Sequence, residues 1–303
     1  MMFDVHFFDC PDYGPGLEEV FSRSVSASGF SFYGKKVLVK PNLVAARNFG
    51  LGCTHPEFVS RMCRVLYDAG ARVSVADSPA FGTAAKVARK IGLENHLKPL
   101  GVKVETLSRG QRRQVSGYRV LVSEAALDAD LIVNLPRLKA HSQVRVGAGV
   151  KNLFGCVCGM QKALWHARLG SDRSAFAALI LDISRVFPRV FSVVDAVQVM
   201  HGSGPIHGSP FLLGKVVSGN DPLAVDTAIY SRLGLTPEEV PLYGAAWDRE
   251  MPQADARNIR MKGDISGIWE AMEIPRELKS ADFSPGYLAM SILKRMRQRM
   301  FPG

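Results

Sequence analysis

The stretch LIVNLPRLKAHSQVRVGAGVKNLFGCVCGMQKALWH, residues 131–166, joins a short apolar run to a glycine-rich segment that is dense in cationic side chains. The run Leu131–Leu135 is typical of a buried strand. Glycine permits backbone conformations and close approaches that other residues do not, so a ligand can lie against the main chain there. Histidine and lysine supply proton transfer and anion binding in the same segment. The stretch therefore predicts a strand that leads directly into a functional site.

Short apolar runs alternate with helical patterns along the rest of the chain. Strands are predicted at Val37–Val39, Val73–Ala76, Val102–Thr106, Leu131–Leu135, Phe191–Asp195 and Val216–Ser218, and helices at Glu57–Ala69, Ala84–Ile91, Phe176–Val186 and Pro222–Leu233. This alternation predicts an α/β fold, with a mainly parallel sheet that has helices on both faces. Residues Arg119–Val122, which follow Gly117, predict an antiparallel addition. Ligand sites in such sheets lie beyond the carboxyl ends of the strands.

The composition is that of a globular protein with a sizeable core: 303 residues, 47% of them hydrophobic and 22% charged. Length alone permits one large domain or two smaller ones. We predict a single α/β domain over residues 1–285, followed by a basic amphipathic tail at 286–303. Residues 248–285 lose periodicity, which predicts a loosely packed closing segment.

The charge balance favours an anionic partner. The net charge is +10 and the isoelectric point is near 9.5, a surplus that attracts nucleic acid, anionic lipid or small phosphates and carboxylates. Zinc-finger spacing, RNA-recognition aromatics and a basic region with heptads are missing from the sequence, which argues against nucleic acid. An acidic N-terminal stretch, the lack of an apolar window near ~18 residues and five scattered cysteines predict a cytoplasmic protein with reduced thiols.

The C-terminal stretch Leu288–Phe301 has its own pattern. Apolar residues recur every four positions, and basic residues fill much of the remaining surface; they are Leu288, Ile292, Met296 and Met300, and Lys294, Arg295, Arg297 and Arg299. Such a basic amphipathic helix suits an anionic membrane surface or an acidic redox partner. The alternative is a helix docked on the body of the protein with a solvated basic side.

Several short motifs together resemble one known family. They are VLVKPNLV at 37–44, THP at 54–56, DSP at 77–79, PRLKAH at 136–141, GVKNLFGC at 149–156, KALWH at 162–166, MHGSGPIHG at 200–208 and DPLAVD at 221–226. The pattern covers roughly residues 35–265 and resembles the family called domain of unknown function 362. The activity of that family is largely undefined, so the resemblance implies little chemistry.

The resemblance also bears on cofactors. Many relatives append a ferredoxin-like cysteine cluster after the core domain, whereas this chain has no cysteine after Cys158, so no intrinsic iron–sulfur cluster is expected and the cofactor is unknown. The motifs are similar as well to the N-terminal domain of nickel-pincer lactate racemases, where a histidine precedes a glycine-rich loop that bears a functional lysine. His141 and Lys151 would occupy those positions here.

The candidate site residues come from the ends of predicted strands and from the glycine-rich segment. The catalytic candidates are His141, Lys151, His166 and Asp195, with His141 as general acid or base and His166 as the second choice. The candidates for substrate binding are Lys40, Asn42, Lys139, Asn152, Lys162 and His201. Because strand ends meet at one edge of a sheet, we expect Lys40, Lys139, His141, Lys151 and Asp195 to line one cleft. The alternative for Lys162 and His166 is a surface helix.

The glycine-rich sequence GAGVKNLFG departs from both established nucleotide loops. Val150 and Asn152 flank Lys151 where a Walker A loop needs Gly and Ser or Thr, and Asn152 stands where a dinucleotide loop has its third glycine. We expect a backbone cradle for an anion, with Asn152 as an amide donor. Cys156, Cys158 and His166 form a weak candidate metal set, since no second cysteine pair exists and buried thiols are the simpler interpretation. Asp221 before Pro222 predicts a helix cap.

The leading functional hypothesis is a cytoplasmic enzyme that acts on a small anionic substrate, a carboxylate or phosphate, by proton transfer of the isomerase or racemase kind. Lysines would bind the oxygens of the substrate and a histidine would move the proton. Two alternatives stay open. One is an iron–sulfur or redox accessory protein that lacks its own ferredoxin module. The other is a module that binds an anionic surface or a partner.

Overall fold

The computed structural model describes residues 1–44, 50–79, 82–159, 161–205 and 207–278. Its strands are β1 (Phe3–Asp9), β2 (Lys36–Pro41), β3 (Arg72–Asp77), β4 (Val104–Thr106), β5 (Gly110–Val115), β6 (Tyr118–Ser123), β7 (Leu131–Leu135), β8 (Arg137–His141), β9 (Arg145–Gly147), β10 (Val190–His201), β11 (Ser209–Gly219) and β12 (Ile259–Gly263). Its α-helices are α1 (Gly16–Ser28), α2 (Pro56–Asp68), α3 (Ala84–Lys90), α4 (Leu93–Leu97), α5 (Glu124–Leu127), α6 (Gly149–Leu153), α7 (Gln161–Leu169), α8 (Arg173–Ser184), α9 (Pro222–Arg232) and α10 (Pro241–Trp247).

The centre of the molecule is a mixed, mainly parallel sheet. Its strand order is β12-β1-β11-β10-β7-β2-β3-β4, and β8 joins it by pairing with β10 and β9. The pairs β1–β11, β10–β11 and β8–β9 are antiparallel, and the remaining pairs of this sheet are parallel. A separate antiparallel hairpin consists of β5 and β6. The α/β fold with antiparallel additions is therefore confirmed, and the predicted hairpin is one of the additions.

Helices cover both faces of the sheet, as its sequence pattern requires. Alternate residues of β2 and β7 enter two different apolar clusters: Leu38 and Ile132 enter one, and Val39 and Val133 enter the other. The first cluster includes apolar side chains of α6 to α10, and the second includes those of α1 to α4. Strands that are apolar on both sides read as nearly continuous hydrophobic runs, which is why β2 and β7 were recognisable in the sequence.

Side-chain caps and first-turn prolines mark the starts of α2 and α9, close to where the sequence predicts them. His55 accepts a hydrogen bond from the Glu57 N–H and Pro56 occupies the first turn of α2. The predicted cap at Asp221 is confirmed, since its Oδ1 accepts from the N–H groups of Leu223 and Ala224, both at 2.9 Å, at the start of α9. A proline in the first turn loses no hydrogen bond, because that N–H has no partner inside the helix.

One expectation about local structure was wrong. Residues 248–278 are not simply loosely packed: Ile259–Gly263 forms β12, which pairs in parallel with β1, and Trp269 is 1% exposed against Phe7. A long-range pairing partner, which no local pattern reveals, decides whether such a short segment becomes a strand. The segment that follows Pro136 is a buried strand, β8.

The C-terminal stretch Leu288–Phe301 lies outside the described residues. Within the described ranges, no helix is long and apolar enough to cross a membrane.

Candidate functional site

Charged and amide side chains meet beyond the carboxyl ends of the central parallel strands. Lys40 and Asn134 are register partners near the ends of β2 and β7, and Asp77 ends β3. Strand β8 then extends past β7 and presents Lys139 and His141, both buried. Helices α6 and α7 close over this edge with Lys151, Asn152, Lys162 and His166. We call Lys40, Asp77, Lys139, His141, Lys151, Lys162 and His166 the lysine site.

A buried ion pair lies at the bottom of the lysine site. The Lys40 Nζ is 2.6 Å from Asp77 Oδ1, and both side chains are almost entirely shielded from water. The second oxygen of Asp77 accepts the Leu43 N–H at 2.7 Å. Lys40 also donates to the Pro41 carbonyl at 2.9 Å and to Asn152 Oδ1 at 3.2 Å. Lys40 is thus fully engaged by the protein, and it positions neighbouring groups rather than offering itself to a substrate.

Three asparagines connect this pair to the rest of the site. Asn152 Oδ1 accepts from Asn42 Nδ2 at 2.9 Å, while its Nδ2 donates to Asn134 Oδ1 at 2.8 Å and to the Lys40 carbonyl at 3.2 Å. Asn42 Oδ1 in turn accepts a short hydrogen bond from Lys139 Nζ. Every polar atom of the Asn152 amide therefore has a protein partner, and so do both polar atoms of Asn42. Asn152 is thus held within the network, whereas Asn42 is partly buried and keeps a second N–H on Nδ2 with no partner among the described residues; the substrate-binding role of both residues stays a prediction.

The glycine-rich segment does not form the expected anion cradle. The N–H groups of Gly149 and Val150, at the start of α6, donate to Asp226 at 2.6 and 3.0 Å. Asp226 is fully buried, and burial raises the pKa of its carboxyl to about 7 even though the two N–H donors act in the opposite direction. A carboxylate of the protein itself thus occupies the place predicted for a ligand. Asp226 holds the helix that carries Lys151 and Asn152.

Within the described residues, three lysines of the site form no ion pair with a carboxylate. Burial lowers the pKa of Lys139 to about 8 and the pKa values of Lys151 and Lys162 to about 7. Lys139 also donates to the Gly52 carbonyl at 2.8 Å, and Lys162 donates to the Ser78 carbonyl. Lys151 is partly exposed, and its Nζ lies 5.0 Å from the centre of the Phe154 ring. Among the described residues Lys151 makes no hydrogen bond or ion pair, so its amine is available to a ligand.

The two histidines of the site are uncharged at neutral pH. Burial, together with the charges of Lys151 and Lys139, holds the pKa of His141 well below its usual value. His141 Nδ1 accepts the Gln143 N–H at 3.1 Å, so the ring proton of the neutral imidazole is on Nε2. His166 packs against Phe154 and Phe176, and burial lowers its pKa to about 3. The site therefore presents His141 as a hydrogen-bond donor through Nε2 rather than as a base.

Asp195 and His201 do not join the lysine site. The carboxylate of Asp195 accepts from the Tyr13 hydroxyl at 2.8 Å, the His55 N–H at 3.0 Å and Arg137 Nη1 at 3.2 Å. None of these hydrogen bonds reaches a side chain of the lysine site, so the single cleft that combines Asp195 with Lys40 and His141 stays a prediction. His201 ends β10, with its ring 5.3 Å from that of Phe211. No described contact connects His201 to the lysines.

The two cysteines of the weak metal set are buried thiols beside charged groups of the lysine site. Cys156 and Cys158 are both free and buried, and burial raises the pKa of the Cys156 thiol to about 12. A metal ligand must be a thiolate, which such a pKa disfavours. In the parts of the chain that the structure describes, no three His, Cys, Asp or Glu side chains are grouped as metal ligands.

Sequence reasoning missed three residues that organise the site. Asp77 was recognised only as part of a motif, although it is the counterion of Lys40. Asn134 interrupts the apolar run Leu131–Leu135, and a polar residue within a buried strand was the available signal for it. Arg137 pairs with Asp195 over 58 residues of sequence, a contact that no local pattern encodes.

The comparisons with known proteins agree with the motifs. The family model described as domain of unknown function 362 matches residues 37–231. A thylakoid-associated protein of Synechocystis sp. is 35% identical over 215 residues, which are 70% of this chain and 67% of that protein.

Two solved structures are similar in fold. The lactate racemase apoprotein from Thermoanaerobacterium thermosaccharolyticum has a TM-score of 0.44 and 12% identity over 63% of this chain, and a Thermotoga maritima protein has a TM-score of 0.40 and 16% identity over 67%. The chain spans about half the length of each, 50% and 54% respectively.

Gly155 tests whether the buried pair organises the site. A Cβ at this position would lie 2.5 Å from Lys40 Nζ and 2.6 Å from Asp77 Oδ1, so Gly155→Ala must displace the pair. We expect this variant to lose about 1–3 kcal/mol of unfolding free energy, as overpacked cores do, measured by urea denaturation. Gly147→Ala is the matched control, because its Cβ would meet nothing closer than 3.8 Å. Equal stability of the two variants would contradict the central role of the pair.

Proposed function

The chain is a member of the family described as domain of unknown function 362, and we propose that it is an enzyme that moves a proton on a small anionic substrate held in the lysine site. The observation that carries the proposal is the imbalance of charge. Four lysines, Lys40, Lys139, Lys151 and Lys162, lie at one sheet edge, and Asp77 is the carboxylate that forms an ion pair with one of them. A carboxylate or phosphate would supply the missing negative charge.

Perturbed pKa values favour catalysis over simple storage of an anion. An amine with a pKa of about 7 is partly neutral at physiological pH, and a neutral amine accepts a proton. Lys151 combines that property with partial exposure and with the absence of any protein partner within the described residues. The glycine-rich sequence around Lys151 suggested an ammonium group that binds the substrate. The lowered pKa of its amine fits a proton acceptor better.

In the proposed reaction, the ammonium groups of Lys139 and Lys162 hold the anionic group of the substrate. The neutral amine of Lys151 takes a proton from the carbon next to a carboxylate or carbonyl group. The electron pair of the broken C–H bond moves into that group, whose oxygen accepts a hydrogen bond from His141 Nε2–H. Lys151 then returns the proton to the opposite face of that carbon, after the planar intermediate has turned over in the site. The configuration at the carbon is thereby inverted, which completes a racemisation, and no electrons are gained or lost overall.

Exchange of substrate hydrogen with D2O tests this chemistry directly. A panel of small 2-hydroxy and 2-oxo carboxylates and of phosphorylated relatives is incubated with the protein in D2O and followed by NMR. We expect deuterium to enter at least one compound at the carbon next to the carboxylate or carbonyl. Lys151→Met, which keeps length but removes the amine, should lower that rate at least 100-fold, within the usual contribution of a proton-transfer group. No exchange with any compound would contradict the enzymatic proposal.

Binding of sulfate tests the anion site separately from catalysis. Sulfate stays dianionic from about pH 6.5 to 9, whereas lysines with pKa values of 7 to 8 lose their protons over this range. Because the protonated lysines bind the anion, affinity should fall at least about tenfold as the pH rises through this range. Calorimetry at constant ionic strength measures it. Lys151→Met should weaken binding, and Lys86→Met, at an exposed position on α3, should not. An affinity that does not depend on pH would contradict the assignment.

A second candidate function is association with an anionic surface through Leu288–Phe301. Its support is the basic amphipathic pattern of that stretch and the name of the relative from Synechocystis sp., a thylakoid-associated protein. We propose a cytoplasmic protein that attaches peripherally, with basic residues contributing on the order of 1 kcal/mol each at low salt.

Truncation after Gly286 tests this second candidate. The shortened chain should lose sedimentation with vesicles that contain 30% phosphatidylserine, and the intact chain should lose it in about 0.5 M salt. Replacement of Lys294, Arg295, Arg297 and Arg299 by glutamine is the matched control that keeps the apolar residues. Unchanged sedimentation of the truncated chain would contradict surface binding through this stretch.

A further inference from the structure

A second cleft lies beside the lysine site and uses different residues. It has a volume of about 380 Å3, which is within the range of small-molecule sites. We call it the arginine cleft; its lining residues are Gly50, Leu51, His55, Pro56, Ile91, His96, Arg137, Gln198 and Pro210. No member of the lysine site is among them. The cleft is therefore a separate candidate for ligand binding.

Arg137 brings unused hydrogen-bond donors to this cleft. Its side chain is 2% exposed, and its Nη1 donates to Asp195 Oδ2 and to the Cys53 carbonyl, each at 3.2 Å. The buried Nε has no hydrogen-bond partner among the described residues, and none of their hydrogen bonds involves Nη2. Buried polar atoms are nearly always paired, so an arginine that lines a cavity with donors unpaired points to a missing acceptor.

His55 adds a second donor. Its Nδ1 accepts the Glu57 N–H at 3.3 Å, which leaves the ring proton on Nε2. The ring stacks on Tyr13 with centroids 3.7 Å apart and planes 9° from parallel, so its orientation is fixed. Burial lowers the pKa of His55, and the ring is neutral at physiological pH. Nε2–H has no partner among the described residues and belongs to a side chain that lines the cleft.

The charge of Asp195 limits what the cleft can bind. This carboxylate offsets the charge of Arg137, and the Tyr13 hydroxyl and the His55 N–H complete its hydrogen bonds. The pair is close to neutral, unlike the lysine site, yet Arg137 keeps free N–H groups. Such a site can hold one carboxylate through directed hydrogen bonds but offers no surplus charge for a polyanion. Leu51, Pro56, Ile91 and Pro210 form the apolar part of the wall, which also contains the polar side chains of His96 and Gln198.

We propose that the arginine cleft binds a small monocarboxylate with an apolar body, with the carboxylate at Arg137 and His55 and the body between Ile91 and Pro210. This site goes beyond the proton-transfer function and does not depend on it. The two sites nevertheless share a wall: the Gly52 carbonyl accepts from Lys139, and the next carbonyl, of Cys53, accepts from Arg137. A monocarboxylate bound at Arg137 is therefore separated from Lys139 of the lysine site by the backbone of Gly52 and Cys53.

Calorimetric titration with benzoate tests the proposal, since benzoate combines one carboxylate with a flat apolar body. The wild-type chain should bind one benzoate with Kd of about 1 mM or below, and benzyl alcohol, which lacks the carboxylate, should bind at least tenfold more weakly. Ile91→Trp fills the cleft and should abolish benzoate binding, whereas the conservative control Ile91→Val should not. His55→Asn keeps an acceptor for the Glu57 N–H but removes Nε2–H, and it should weaken benzoate binding several-fold.

The lysine-site variant separates the two proposals. Lys151→Met should leave benzoate affinity unchanged while it weakens sulfate binding, and Ile91→Trp should do the reverse; retained sulfate binding also shows that Ile91→Trp is folded. Saturable benzoate binding that survives both Ile91→Trp and His55→Asn, or that disappears in Lys151→Met, would overturn the assignment to the arginine cleft. Absence of saturable binding to the wild-type chain would overturn it as well.

Discussion

The buried ion pair between Lys40 and Asp77 is the contact on which the rest of the site depends. It joins the ends of β2 and β3, and through Asn152 it reaches β7 and α6. An ion pair out of reach of water needs further hydrogen bonds to compensate for lost hydration. Here those bonds come from the Leu43 N–H and from the asparagine amides. The need to compensate one buried ion pair therefore fixes β2, β3, β7 and α6 relative to one another.

The remaining lysines are held differently, since none of them forms an ion pair within the described residues. Burial lowers the pKa values of Lys139, Lys151 and Lys162 because it removes water from their charged forms, and the neighbouring positive charge of Lys40 acts in the same direction. A fold selected for stability alone would not gather such groups. Their arrangement around the hydrogen-bonded pair of Lys40 and Asp77 is the basis of the enzymatic proposal.

The sequence predicted the parallel sheet and most of the group at its carboxyl edge, because strand ends follow from apolar periodicity. Lys40, Lys139, His141 and Lys151 follow such strand ends or lie in the adjoining glycine-rich segment, which is why the sequence groups them. It could not assign hydrogen bonds between residues far apart in the chain. Gly149 looked free to bind an anion, yet Asp226, 77 residues away, accepts its N–H. Asp195 looked like a partner for histidine, yet Arg137 lies beside it in the register between β10 and β8. Such pairings depend on tertiary geometry.

Strand β8 contributes side chains to both the arginine cleft and the lysine site. Leu138 and Ala140 belong to an apolar cluster, and the alternate positions carry Arg137, Lys139 and His141. Since side chains on one side of a strand repeat every ~7 Å, the guanidinium, the ammonium and the imidazole stand at fixed intervals along a single line. One inserted or deleted residue would turn all three charged or polar side chains into the apolar cluster and turn the leucine and alanine toward the two binding regions. The length of this segment is therefore as much a part of its chemistry as its residues.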